Sequence, residues 1–186
     1  MIIVVLGNAG SGKGTQTKLL QEKFGLDYIG SGDILRARQD LGDFTGNKLK
    51  EVMNKGALVP TAVVFKIWSD KWDIVKNKPD FKGLVMDGSP REIMEAKLMD
   101  QSFEWYEWDR YVKVLLIDIS REEAFSRLLK RARTDDTEEA VNKRLDLFEE
   151  EVSQVIEYYE KSGRLIHING EQNIENVHKD IMKAVS

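Results

Sequence analysis

The sequence predicts a three-layer α/β protein, a five-stranded parallel sheet with helices on both faces. Short β-branched runs alternate with amphipathic stretches of ten or more residues, so successive strands are joined by helical crossovers. The first run, residues 2–6, is apolar throughout, as a strand buried on both faces is. A glycine-rich string comes directly after it and opens a helix.

Each element has its own signal. After the first strand, Leu19, Leu20 and Phe24 recur at helical spacing, which predicts a helix over 14–24. A short strand covers 27–29, and 33–38, 47–55 and 61–76 read as helices. The strand at 84–87 ends in the turn Gly88-Ser89-Pro90. A helix over 92–108 precedes the longest strand, 111–119. Ser120 with Glu123 three residues on is a capping-box pattern and starts a helix over 121–131. Residues 137–161 read as one long helix that stops near Gly163. A strand at 164–168 and a helix at 174–185 complete the pattern. No repeat, low-complexity tract or Pro/Gly-rich linker interrupts it, and 186 residues suit one domain with a small insertion.

Composition excludes several functions. Hydrophobic residues make up 41% and charged residues 32%, which fits neither a disordered tail nor a membrane protein. No apolar run approaches the length of a bilayer span, so no membrane partner is expected. The N-terminus lacks a basic leader region and turns at once into glycine, so it reads as a buried strand and not a signal peptide. With no cysteine there is no disulfide framework, thiolate zinc site or cysteine nucleophile, and the expected location is the cytoplasm. The net charge of −4 argues against general nucleic-acid binding.

Ligands of such sheets bind beyond the carboxyl ends of the strands, where the motifs of this chain lie. Gly7-Asn8-Ala9-Gly10-Ser11-Gly12-Lys13-Gly14-Thr15 has the spacing G-x-x-x-x-G-K. Glycines let successive N–H groups turn inward around phosphate oxygens, and the helix N-terminus adds partial positive charge. Lys13 brings a full charge to the terminal phosphates. The usual pattern places Ser or Thr directly after the lysine to hold Mg²⁺. Here Gly14 stands there and Thr15 one later. The string predicts a P-loop NTPase fold that binds a nucleoside triphosphate.

Further segments narrow the class. Gly7 to Gln16, Tyr28-Ile29-Gly30-Ser31-Gly32-Asp33-Ile34-Leu35-Arg36 and Asp87-Gly88-Ser89-Pro90-Arg91 resemble successive motifs of the nucleoside monophosphate kinases. In the last of these, serine replaces the phenylalanine of D-G-F-P-R. Arg127-Leu128-Leu129-Lys130-Arg131, Arg133-Thr134-Asp135-Asp136 and Asn142-Lys143-Arg144-Leu145 are similar to the family's arginine-bearing lid region. Order and spacing agree over nearly the whole chain, and within the family the resemblance is to the adenylate kinases.

The resemblance implies the reaction ATP·Mg²⁺ + AMP ⇌ 2 ADP, catalysed mainly by positioning and charge neutralisation. It implies a core of residues 1–30 and 61–186, a helical monophosphate-binding insertion at 31–60 and a minimal lid loop at 127–137. Lys13, Arg91, Arg131, Arg133 and Arg144 are the catalytic candidates. Gly10, Ser11, Gly12, Lys13, Gly14, Thr15, Arg127 and Gln172 would bind ATP, Arg127 covering the adenine and the 170–172 segment meeting it through backbone carbonyls. Ser31, Arg36, Met53, Leu58, Val59, Gly88, Arg91, Glu95 and Arg144 would bind the monophosphate. Asp87 would hold waters of Mg²⁺. Asp135 and Asp136 would position arginines, or serve simply as helix-start acids. Without the resemblance, Arg127 and Arg131 also fit a solvated helix face, with Glu123 four residues before Arg127 as an ordinary ion-pair partner.

Two departures stand out. Only Ala132 separates Arg131 from Arg133, where many relatives carry a longer excursion, some with a zinc site. A short loop without zinc is therefore expected. The base-reading position, four residues after Arg91, usually holds glutamine and here holds Glu95. An amide donates to adenine N1 and accepts from its N6 amine, whereas an ionised carboxylate only accepts and suits the N1–H and N2–H₂ of guanine. Glu95 also fits a solvated helix position. A kinase for GMP or a pyrimidine monophosphate, or a nucleotide-binding protein without catalysis, are the alternatives. Elsewhere, the pairs Trp68/Trp72 and Trp105/Trp108 are expected in helix packing, a self-association patch being the other reading. His167 is expected to be structural and His178 to lie at the surface. Oligomeric state is left open.

Overall fold

The computed structural model describes residues 1–131 and 136–186. Five strands, β1 (Ile2–Gly7), β2 (Asp27–Gly30), β3 (Leu84–Asp87), β4 (Val112–Asp118) and β5 (Leu165–Asn169), form one sheet. All pair in parallel, in the order β2-β3-β1-β4-β5. The helices are α1 (Lys13–Phe24), α2 (Ser31–Gln39), α3 (Phe44–Asn54), α4 (Thr61–Lys76), α5 (Ile93–Trp105), α6 (Arg121–Arg131), α7 (Glu138–Leu147), α8 (Ser153–Lys161) and α9 (Ile174–Val185).

The period-2 alternation of β1 divides the core. Ile2, Val4 and Leu6 join an aromatic-rich layer with Trp68 and Trp72 of α4, Phe103 of α5 and Tyr159 of α8. Ile3 and Val5 face an aliphatic layer built on Leu20 of α1 and Val177, Ile181 and Val185 of α9. A smaller cluster, Ala124, Leu128, Val141 and Leu145, joins α6 to α7. Asp87 pairs with Val5 on one side and Gly30 on the other, so the carboxyl ends of β1, β2 and β3 lie together.

Helices α2 and α3 start two and three residues earlier than expected, and two other elements differ in kind from the sequence expectation. The helix expected to 108 ends at Trp105, and Glu107 adopts a positive φ of 60°. That turn swings Trp108 back into the core, where it stacks on Phe81 at 5.6 Å, and leaves Trp105 81% exposed. Three of the four tryptophans therefore pack as expected and Trp105 does not. The long helix over 137–161 is three pieces, α7, a π-helical segment Phe148–Val152, and α8. The wider π turn rotates the residues beyond it by about 100°. Accordingly α7 packs on α6, whereas α8 packs on α5 and β5. Among the described residues no helix is long and apolar enough to cross a membrane.

Candidate active site

β1 runs out at Gly7 and α1 begins at Lys13, with Gly12 at the N-cap in a left-handed conformation, φ 93°. No side chain caps this helix; the Thr15 N–H donates to the Gly12 carbonyl at 3.0 Å, and the N–H groups of Lys13 and Gly14 ahead of it suit an anionic ligand. Gly10 is needed for space as well as conformation. A Cβ there would come within 2.9 Å of the Ala124 carbonyl of α6. Lys13 Nζ donates to the carbonyls of Gly7 (2.7 Å) and Asn8 (2.8 Å). Burial lowers its pKa to about 8; Asp87 opposes the shift, while Arg91 and Arg131 add to it. The ammonium thus rests on the loop's own carbonyls, in a place where an arriving phosphate would favour its charge. Ser11 turns inward: its hydroxyl is buried, and its N–H donates to Asn8 at 3.1 Å.

Asp87 stands at the end of β3 beside this loop. Burial pushes its carboxyl pKa upward, with Lys13 the largest opposing influence. The Tyr28 hydroxyl lies 3.1 Å from Asp33 Oδ2 and 3.4 Å from Asp87 Oδ2, so its one proton serves either carboxylate. Burial and the two acids push the phenol upward, keeping it a donor. Sequence reasoning assigns Tyr28 no role. The signal for it is Gly30, two residues on and on the same face of the strand. A Cβ at position 30 would fall on the Tyr28 hydroxyl. The chemistry of this corner suits Mg²⁺ brought in by a nucleotide, since one carboxylate can hold waters of an ion otherwise held by phosphates. Among the described residues no group of three or more His, Asp or Glu side chains gathers as a dedicated metal cage would require.

The arginines converge from different elements. The Asp136 side chain is fully buried and accepts from Arg131 Nε (2.9 Å) and Nη2 (2.8 Å) and from Arg144 Nη1 (2.8 Å). One carboxylate thereby fixes two guanidiniums from α6 and α7. Arg127 pairs with Glu123 at 2.6 Å, and its Nη2 also donates to the Gly170 carbonyl at 3.1 Å. The ordinary helix pair is therefore present, and it also lays the guanidinium against the loop after β5. Arg36 pairs with Asp33 at 2.5 Å. Arg91 donates from Nε to the Gly88 carbonyl at 2.9 Å. Burial pulls the Arg91 guanidinium downward; Glu95 and Asp87 oppose that, and the neighbouring Arg144 and Arg36 add to it.

Lys13, Arg36, Arg91, Arg127, Arg131 and Arg144 all line one cleft of about 990 Å³, together with Gly10, Gly12, Gly14, Thr15, Asp87 and Gly88. The same cleft has an apolar part of its lining, Met53, Gly56, Ala57, Leu58, Val59 and Val64, with Ser31 and Glu95 among its polar members. Glu95 is only 3% exposed, and its Oε2 accepts from the Arg91 N–H at 2.7 Å, closing the first turn of α5. The solvated alternative for Glu95 is therefore replaced by a buried one.

Not every candidate meets this cleft. The Gln172 amide donates to the Asn169 carbonyl (3.0 Å) and Asp180 (3.1 Å), and Gln172 is not a lining residue; within its segment it is Gly170 that touches a site arginine. Arg133 and Asp135, within residues 132–135 of the expected lid loop, lie outside the described residues. His167 is exposed on β5 between Asp118 (2.8 Å) and Glu160 (3.1 Å). His178 is half-buried, its Nδ1 3.2 Å from Gln16 Oε1, so it bridges α9 to α1 and is not purely a surface residue.

The chain is similar to known proteins along its whole length. A family model described as "Adenylate kinase" matches residues 5–164. "Adenylate kinase" of Bacteroides fragilis is 37% identical over 98% of this chain and 97% of its own length. "Adenylate kinase isoenzyme 1" of Cyprinus carpio is 36% identical over 99% of this chain and 93% of its own. The Homo sapiens isoenzyme 1 is 34% identical, covering 97% and 91%.

Proposed function

The chain belongs to the adenylate kinase family and is a nucleoside monophosphate kinase, and from that premise we propose how its residues move a phosphoryl group from ATP to AMP. The P-loop N–H groups and Lys13 hold the donor's terminal phosphates. Mg²⁺ would accompany ATP, with Asp87 holding its waters, and would supply neutralisation of phosphate charge. Arg36 and Arg91 take the phosphate of AMP, whose base enters the slot of Met53, Leu58 and Val59. Arg131 and Arg144 stand between the two nucleotides and neutralise the group in transit. Arginine suits this work because it stays charged and binds phosphate oxygens bidentately.

The observation that carries the reading is the Asp136 latch. It holds Arg131 and Arg144 together on one buried carboxylate, so their orientation is set before substrates arrive. Preorganised charge costs little reorganisation during transfer, and catalysis here is mostly positioning. A protein that only bound a nucleotide would need no such latched pair between two half-sites.

The test is phosphoryl transfer from ATP·Mg²⁺ to AMP, GMP, CMP and UMP in parallel, with a control lacking acceptor. ADP should form fastest with AMP and slowly without acceptor. A preference for GMP or a pyrimidine nucleotide would replace the acceptor assignment, and binding of ATP with no transfer to any acceptor would overturn the enzymatic reading.

A further inference from the structure

The base slot holds a side chain that titrates, and its geometry conflicts with an adenine ligand. Glu95 is buried at the start of α5, lines the cleft, and has Oε2 bonded to the Arg91 N–H. No hydrogen bond among the described residues engages Oε1. Met53, Leu58, Val59 and Val64 line the same cleft with side chains that bring neither donors nor charge, and Ser31 adds one hydroxyl. The edge of adenine offers a donor, the N6 amine, beside an acceptor, N1. An ionised carboxylate satisfies the amine and sets a second lone pair against N1, inside an apolar slot where such a clash is not relieved by water. A neutral carboxylic acid has the right pattern: one oxygen accepts and the other donates.

We infer that Glu95 takes up a proton when AMP binds, so that it meets the adenine edge as a neutral acid. The inference deepens the proposed reading and rests on AMP being the acceptor. On binding, a proton leaves the solvent for Glu95 Oε1, Oε1–H donates to adenine N1, and the N6 amine donates to the remaining lone pair of the carboxyl. No covalent bond in the nucleotide changes.

The charges around Glu95 decide when this occurs. From its own turn come Arg91, which favours the ionised form, and Glu92, which disfavours it. Glu92 is itself held by the Thr61 hydroxyl at 2.7 Å. From the other elements Asp87 of β3, Asp33 and Arg36 of α2 and Arg144 of α7 face the same cleft. The segment from Met53 to Val59 and the first turns of α4 present no titratable lining group. Burial already pushes the Glu95 carboxyl upward. AMP then adds a phosphate of charge near −2, seated on the arginines that otherwise stabilise the carboxylate. Both influences favour the neutral acid in the complex.

Proton uptake is measured by titrating the full chain with AMP calorimetrically at pH 8, in buffers of different ionisation enthalpy. At that pH the AMP phosphate is already ionised and contributes little. The wild type should take up more protons than E95Q, whose amide carries the needed donor permanently, the difference approaching one; any uptake by Lys13 is common to both proteins. In turnover assays the AMP KM of the wild type should rise up to tenfold per pH unit above the pH where uptake begins, while that of E95Q stays nearly level. Absence of uptake by the wild type, or equal uptake and equal pH profiles in both proteins, overturns the inference. Rapid turnover of AMP without uptake sinks only the proton coupling. Tighter binding and faster turnover of GMP, without uptake, sinks the AMP reading itself.

Discussion

The two ends of the cleft are built on opposite plans. At the phosphate end the cations are already engaged: Lys13 with two loop carbonyls, Arg131 and Arg144 with Asp136, Arg127 with Glu123 and Gly170. At the end proposed for the base the lining is apolar, with Glu95 and Ser31 as its polar members. The first plan suits a ligand whose charge is constant, because partners that hold cations in place also cancel their mutual repulsion until phosphate arrives. The second suits a planar base, where burial provides affinity and one group provides discrimination. The difference teaches that rate should be sensitive at the phosphate end and acceptor KM at the base end.

The harshest way to break the phosphate end is Lys13→Met. We expect kcat to fall by roughly 10³-fold, since a full charge at the transferring group is removed; near-normal turnover would remove Lys13 from the mechanism. Next is Asp136→Asn, which unlatches Arg131 and Arg144 while keeping the shape. Misplacement of this kind costs about 10²-fold in kcat. The AMP KM should change far less, and a thermal melt would separate misplacement from unfolding. An equal rise in KM with kcat preserved would mean that Asp136 acts only in binding.

A pH profile sharpens the same end. The Lys13 pKa is lowered to about 8, and under the proposed function the protonated form is the one that would bind phosphate. In the free enzyme kcat/KM for ATP should therefore fall as pH rises through about 8, by up to about tenfold per unit. In the complex bound phosphate raises that pKa, so kcat should hold to higher pH; a kcat that fell in parallel would contradict the assignment.

Tyr28→Phe removes one hydroxyl between Asp33 and Asp87. A net hydrogen bond of about 1 kcal/mol predicts about a fivefold rise in the Mg²⁺ concentration needed for half-maximal rate. An unchanged Mg²⁺ dependence would make Tyr28 a packing residue. The smallest effect belongs to the base end. Met53→Ala should raise the AMP KM a few-fold, about 1 kcal/mol of lost apolar contact, and leave the ATP KM unchanged. A change in the ATP KM instead would exchange the two ends.

How far the sequence reached depended on the range of each signal. The strands and the P-loop are legible because apolar runs, glycine spacing and helix starts are local: residues 84–87 read as a strand and β3 spans Leu84–Asp87. Lys13 and Arg91 are legible for the same reason, standing beside glycine-marked turns at strand ends. The split of the helix over 137–161 is not, because a π turn changes hydrogen bonding without any composition cue, and packing on α5 and β5 is what rewards the rotation. Trp105 and Trp108 have the same helical promise in sequence, and only the turn at Glu107 sends one to solvent and the other inside.

The order β2-β3-β1-β4-β5 and the site assembled at its carboxyl edge belong to the tertiary level. So do the contact of Arg127 with Gly170, 43 residues away, and the placement of Tyr28 against Asp87, 59 residues on. Residue order along the chain determined which helices and strands form and which chemistry they carry, since those depend on neighbours within a turn or two. Which charges face one another, and whether Glu95 lies in water or in an apolar slot, is decided through burial by distant segments, and burial is what sets the electrostatics of this site.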